Sequence, residues 1–218
     1  MFSFRFPFPP RRLRRTRRLN VTCAASSTLA LLALTVLSAT PAQGALISTG
    51  ACNEAALSQP FLRWGDLNSY ELVPGGDFEG SLAGWTLSGG AQRVAGSEPY
   101  GATGSVGASS LSLPAGASAL SPLTCVNASY PSFRFFARNN GLASTVLVQV
   151  VYRTALGTVS LPVGAVALAG NWQPTLPMLT GSVVGGLLSG GTAQVSLRFT
   201  ALTGSSRIDD IFVDPRMR

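Results

Sequence analysis

The chain has 218 residues and carries 16 basic residues, all Arg, against 9 acidic ones, with no His anywhere. The missing His excludes Ser-His-Asp and Cys-His catalysis, His-ligated zinc and any imidazole proton shuttle. The formal charge of +7 is no broad nucleic-acid-binding surface, because seven of the Arg fall in the first eighteen residues and from Ala45 onward nine Arg face nine acids.

The basic run from Arg5 to Arg18 is followed by an apolar core, Leu29 to Leu37, and then by the small residues Ala42-Gln43-Gly44 before Ala45. This order of cationic, apolar and small-residue regions is that of a secretory signal peptide. Residues 1–44 are therefore expected to be removed, leaving a secreted protein that is extracellular or associated with the cell envelope. The apolar run of about nine residues is short of the roughly twenty that a bilayer span requires, so no stable membrane span is expected after processing. Cys23 leaves with the leader. Cys52 and Cys125 remain as an even pair in an oxidising compartment and are expected to form one disulfide. Closing a loop of that length is worth about 4 kcal/mol in the chain-entropy account. It would tie an N-terminal segment, residues 45–72, to a domain over residues 73–218. The aromatic residues Phe61, Trp64 and Tyr70 are too many for a disordered tail.

From there the chain reads as strands. Gly and Pro punctuate it at short intervals, and no stretch sustains a helical period. Strands are expected over Trp85–Leu87, Ser110–Leu113 and Phe133–Ala137, the last ending at the turn signal Asn139-Asn140-Gly141. Thr145–Tyr152 is long and rich in β-branched residues. Val159–Ala169 holds a Pro and a Gly, and reads as two short strands or one bulged strand. Leu179–Thr192 reads as a glycine-rich loop around a weak strand. Gln194–Ala201 alternates, with Val195, Leu197 and Phe199 on one face and Ser196, Arg198 and Thr200 on the other. Ile208–Val213 closes the chain. About eight short strands predict an all-β antiparallel sandwich or barrel.

Two stretches resemble a known family. VPGGDFEGSLAGWTLSGG (Val73–Gly90) and RIDDIFVDP (Arg207–Pro215) are similar to the two ends of galactose-binding-like jelly rolls, which include carbohydrate-binding modules of exported bacterial proteins. The resemblance implies a jelly-roll β-sandwich with its first and last strands side by side. It also implies a structural calcium where those strands meet, with Glu79 as one ligand and Asp209 or Asp210 as another. Strict alternation would turn Asp209 and Asp210 to opposite faces, leaving one of them as a ligand. Trp85 is expected in the core.

Sugars stack on exposed aromatic rings, and three residues are candidates for that role. Trp172 lies between Asn171 and Pro174 at a strand edge or loop, Tyr100 in the polar loop Gly96–Gly104, and Tyr130 before Pro131. The nine carboxylates after Ala45 show no pairing suggestive of an acid and a base, so no enzyme is expected. The composition and resemblance together point to a non-catalytic module that binds a glycan or cell-surface polymer. The alternative is a structural or protein-interaction domain of the envelope with no small ligand. An exposed aromatic platform on a concave sheet face would separate the two.

Overall fold

The computed structural model describes residues 56–127, 132–141, 143–154, 157–180 and 192–214. The leader, Cys52, Tyr130 and most of the glycine-rich stretch before Thr192 lie outside the described residues. The strands in chain order are β1 (Glu71–Leu72), β2 (Thr86–Ser88), β3 (Gln92–Ala95), β4 (Ser109–Leu113), β5 (Ser118–Leu120), β6 (Thr124–Asn127) and β7 (Ser132–Asn139). They continue with β8 (Ser144–Thr154), β9 (Gly157–Leu168), β10 (Gln173–Pro174), β11 (Met178–Leu179), β12 (Thr192–Thr203) and β13 (Ser206–Asp214). A 3₁₀ turn at Leu62–Trp64 is the one helical element among the described residues.

Two antiparallel sheets result. One runs β10-β7-β13-β4-β3, with β1 also on β13 and β11 also on β7. The other runs β2-β5-β12-β8-β9, with β6 also on β12. The architecture is the expected antiparallel β-sandwich, with more strands than the eight expected. The extra ones are short: β1, β10 and β11 have two residues each, too few to carry a period of their own. Val159–Ala169 resolves as one long strand, β9, with a register shift: Val148 pairs Gly164 and Gln149 pairs Pro162, so one residue is extra.

The main core lies between the sheets, and the period-two pattern sets it. Val146, Val148, Val150 and Tyr152 of β8 point inward, as do Val195, Leu197 and Phe199 of β12. They meet Phe133 and Phe135 of β7, and Ile208, Ile211 and Val213 of β13. Trp85 belongs to this core, as expected, and its indole N–H donates to the Pro74 carbonyl at 3.0 Å.

A second, smaller cluster sits on the outer face of the seven-stranded sheet. Phe136 of β7 and Phe212 of β13 point away from the main core and are covered by Phe61, Tyr70 and Trp172. Residues 58 to 72 are thus part of the sandwich. Ser58 and Tyr70 exchange backbone hydrogen bonds at 2.8 Å each, and β1 pairs the end of β13 through Glu71 with Val213.

Candidate binding groove

The site is built by that second cluster. Phe61 is fully buried and stacks on Phe136, with ring centroids 5.4 Å apart. The 3₁₀ turn that follows is closed by Trp64 N–H to Phe61 O at 2.9 Å. It ends at Gly65, whose φ of 80° is the left-handed conformation that glycine adopts without strain. With Phe61 anchored, the next turn projects Arg63 and Trp64 outward. Trp64 is 36% exposed.

The opposite wall comes from the loop before β4. Tyr100 donates its hydroxyl to the Trp172 carbonyl at 2.8 Å, and its ring meets Trp64 edge-on at 5.1 Å. The Arg63 guanidinium lies 4.9 Å from the Tyr100 ring centroid and 5.1 Å from that of Trp64, within cation–π range of both. Beside these paired rings runs an open groove of about 300 Å³, lined also by Gln59 and by Gly101 to Gly104. Among the described residues on its wall, Arg63 alone is charged.

Two buried polar anchors hold the groove in place. Beneath the 3₁₀ turn, Arg134 pairs with Asp66 at 2.6 Å, donates Nε–H to Thr175 O at 2.7 Å, and lies 4.2 Å from the Phe61 ring centroid. Burial opposes ionisation of Asp66, but the Tyr70 hydroxyl, the Asn68 amide and Arg134 outweigh it and hold its carboxyl below the usual range. Burial, with Asp66 as acceptor, pushes the Tyr70 hydroxyl up to about 12. Behind the loop, Glu98 is fully buried and accepts the amides of Tyr100 at 2.5 Å and Ala102 at 2.8 Å.

The predicted site residues separate. Tyr100 is in the groove. Trp172 is not an exposed platform: it is 7% exposed, lies in the second cluster, and presents its backbone carbonyl to Tyr100. Its turn is covered by the N-terminal segment, which local sequence around Trp172 does not report. Tyr130 lies outside the described residues. Trp64 and Arg63 were not among the predicted ligand contacts. The available signal was Arg-Trp-Gly after a buried-type Phe, an aromatic displayed on a tight turn. The outward positions of the six-stranded sheet, such as Leu147, Gln149, Arg198 and Thr200, present no aromatic ring among the described residues.

The structure also places the predicted calcium ligands. The first and last segments do meet: Val73 N–H donates to Ile211 O at 2.9 Å, and Ile211 N–H to Gly76 O at 3.1 Å. A Cβ on Gly76 would stand 2.9 Å from Val73 O and 3.0 Å from Ile211 O, so glycine is what permits this approach. Glu79, however, spends its Oε1 on the amides of Ala108 at 2.8 Å and Ser109 at 2.7 Å. Asp209 accepts Ser97 Oγ at 2.6 Å, Glu98 N–H at 2.9 Å and Asp210 N–H at 3.0 Å. Alternation fails at the next residue. Asp210 has φ of 44° at a register shift in β13, and this bulge turns it toward Glu98, with which its side chain hydrogen-bonds. Burial raises Asp209 to about 7. Burial and the neighbouring Asp209 and Glu98 raise Asp210 to about 9. Among the described residues, no group of three or more His, Cys, Asp or Glu is placed to hold a metal ion. Oε1 of Glu79 and both carboxylate oxygens of Asp209 accept N–H or O–H donors in this arrangement.

No family model matches the sequence, and no curated protein matches it. The solved structures it is similar to are mainly carbohydrate-binding modules. One is the C-terminal family 22 carbohydrate binding module of Clostridium thermocellum Xyn10B, at 18% identity and a TM-score of 0.45, covering 69% of this chain and 96% of that one. A second is TmCBM61 in complex with β-1,4-galactotriose, at 15% identity and a TM-score of 0.42, covering 69% of this chain and 100% of that one. A third is the N-terminal CBM22-1–GH10 portion of the same Clostridium thermocellum xylanase, complexed with xylohexaose, at 16% identity and a TM-score of 0.44. That match covers 65% of this chain and spans only 28% of the xylanase chain.

Proposed function

We propose that the chain is an exported, non-catalytic module that binds a glycan or cell-surface polymer in the groove lined by Trp64 and Tyr100. The observation that carries this reading is the Trp64 ring: exposed, fixed at the end of an anchored turn, and lining a groove that also holds Gln59, Arg63 and Thr103. A sugar's apolar face gains by desolvating its CH groups against such a ring, while Gln59, whose Nε2 donates to Leu67 O at 2.8 Å, keeps its side-chain oxygen on the groove wall as an acceptor for a hydroxyl. Among the described residues the groove wall holds no carboxylate, so a sugar bound there would have no described acid and base flanking its glycosidic bond. That supports binding without hydrolysis.

A glycan array probed with the full chain tests this. Binding to at least one glycan class is expected, and Trp64→Ala should weaken it by about tenfold or more, the worth of a lost aromatic contact. Array binding that Trp64→Ala leaves unchanged would move the site elsewhere. A specific observation favours a second reading, a protein-interaction domain of the envelope. On the far side of Trp64, a shallow hollow is lined by Leu67 and Leu176, which are 71% and 82% exposed. An empty array, with a protein partner lost on Leu176→Asp, would select it.

A further inference from the structure

The groove's charge points to a narrower ligand class, an inference that rests on the glycan-binding reading above. We propose that the sugar it takes is anionic, carrying a carboxylate or sulfate that Arg63 receives.

Each charged group near the groove has a defined partner or position. Asp66 and Arg134 neutralise each other at 2.6 Å beneath the turn. Glu98 is fully buried behind the loop, with its two oxygens on the Tyr100 and Ala102 amides. Asp209 and Asp210 are buried behind Glu98. Arg63 is different. It is exposed, stands on the groove wall, and has no carboxylate within ion-pair distance among the described residues.

Its contacts are with ring faces, 4.9 Å from Tyr100 and 5.1 Å from Trp64. Those contacts hold the guanidinium beside two rings without using its N–H donors on an acid among the described residues. A planar fork of donors held in this way suits two parallel oxygens of a carboxylate or sulfate. Both rings are themselves fixed, Tyr100 by its hydroxyl on Trp172 O and Trp64 by the turn that Phe61 anchors. The ordering cost of the long Arg side chain is therefore partly met before a ligand arrives. A neutral glycan would find the same stacking ring but would leave this cation without an anionic partner.

The test uses the full chain and four soluble probes at physiological salt: an oligogalacturonide for carboxylate, a heparin oligosaccharide for sulfate, and xylo- and galacto-oligosaccharides as neutral references. Titration calorimetry on wild type, Arg63→Ala, Arg63→Lys and Trp64→Ala reads the affinities. The native melting temperature of each variant confirms folding, which exposed Arg63 should not disturb. At least one anionic probe is expected to bind ten or more times tighter than the neutral ones. Arg63→Ala should lower that affinity about tenfold or more, the range for a charge-assisted contact. Arg63→Lys should recover only part, because an ammonium cannot make the paired contact. The Arg-rich leader contributes equally to all four proteins, so a loss specific to Arg63→Ala is assigned to the groove. Which anionic probe responds tells carboxylate from sulfate. Neutral probes binding as tightly as anionic ones, or anionic binding indifferent to Arg63→Ala, overturns the proposal and leaves the glycan reading standing. Failure of all four probes to bind in a manner sensitive to Trp64→Ala overturns both.

Discussion

Asp66 does three jobs with one carboxyl. It accepts the Asn68 amide at 3.0 Å, closing the turn, the Tyr70 hydroxyl at 2.7 Å, and Arg134 Nη1 at 2.6 Å. The pair is largely covered, with side-chain exposures of 6% for Arg134 and 11% for Asp66, and its remaining edge lines the hollow beside Leu176. Removing one partner of such a pair strands the other's charge. Asp66→Asn is accordingly expected to destabilise the chain by about 3–5 kcal/mol in urea denaturation. The double variant Asp66→Asn with Arg134→Met should recover part of that loss, because no uncompensated guanidinium remains. An Asp66→Asn cost below about 1 kcal/mol would show that solvent reaches the pair and that the turn carrying Trp64 is held by its apolar contacts alone. The same scale shows what residue types could reveal. Trp85 was legible as core from its Gly-Trp context. Trp172 was not, because its burial depends on Phe61 and Tyr70, a hundred residues away in sequence. Trp64 was readable as an ordered aromatic but not as a groove wall, since the facing Tyr100 comes from another loop.

Among the elements, β13 carries the feature that alternation could not foresee. A bulge at Asp210 puts two consecutive acids beside Glu98, and the turn from Val73 to Gly76 supplies the backbone partners of Ile211 that the bulge leaves without a ladder. A sequence reader counts by two and sends Asp209 and Asp210 apart; a positive φ at one residue brings them together. Long strands were legible for the opposite reason. β8 and β12 repeat their pattern over 11 and 12 residues, so one irregular position does not erase the signal. The clustered acids also predict a pH response. Asp209 and Asp210 titrate higher folded, at about 7 and about 9, than the ordinary value of 3.8. Between those values the folded chain holds more protons than the unfolded one, so stability falls as pH rises through that window. Asp66 works oppositely: its folded value lies below 3.8, so its contribution is present above that value and is lost as pH falls through the lower one. The melting temperature is therefore expected to be highest at mildly acidic pH and to decline toward pH 9. Asp210→Asn, which keeps a neutral hydrogen-bonding side chain there, should flatten the upper part of the decline. A melting temperature that rises from pH 5 to pH 9 would contradict this account of the cluster.

For the whole molecule, the N-terminal segment does more than attach to a finished sandwich. It covers the outer face of the seven-stranded sheet, and by doing so it creates the groove: its own turn provides Arg63 and Trp64, and the sheet behind it fixes Tyr100 through Trp172. The sandwich class was legible because composition and periodicity are distributed over the chain. The groove was not, because it exists only where three separate segments meet. The most direct test of the glycan-binding account is acrylamide quenching of tryptophan fluorescence. Of the three Trp, Trp85 and Trp172 are 9% and 7% exposed, against 36% for Trp64, so Trp64 should dominate the quenchable signal. Saturation with an oligosaccharide that binds the chain should lower the quenching constant, and the change should vanish in Trp64→Phe. A bound oligosaccharide that leaves the quenching constant of the wild-type chain unchanged would contradict the central claim that the groove at Trp64 is where the glycan sits.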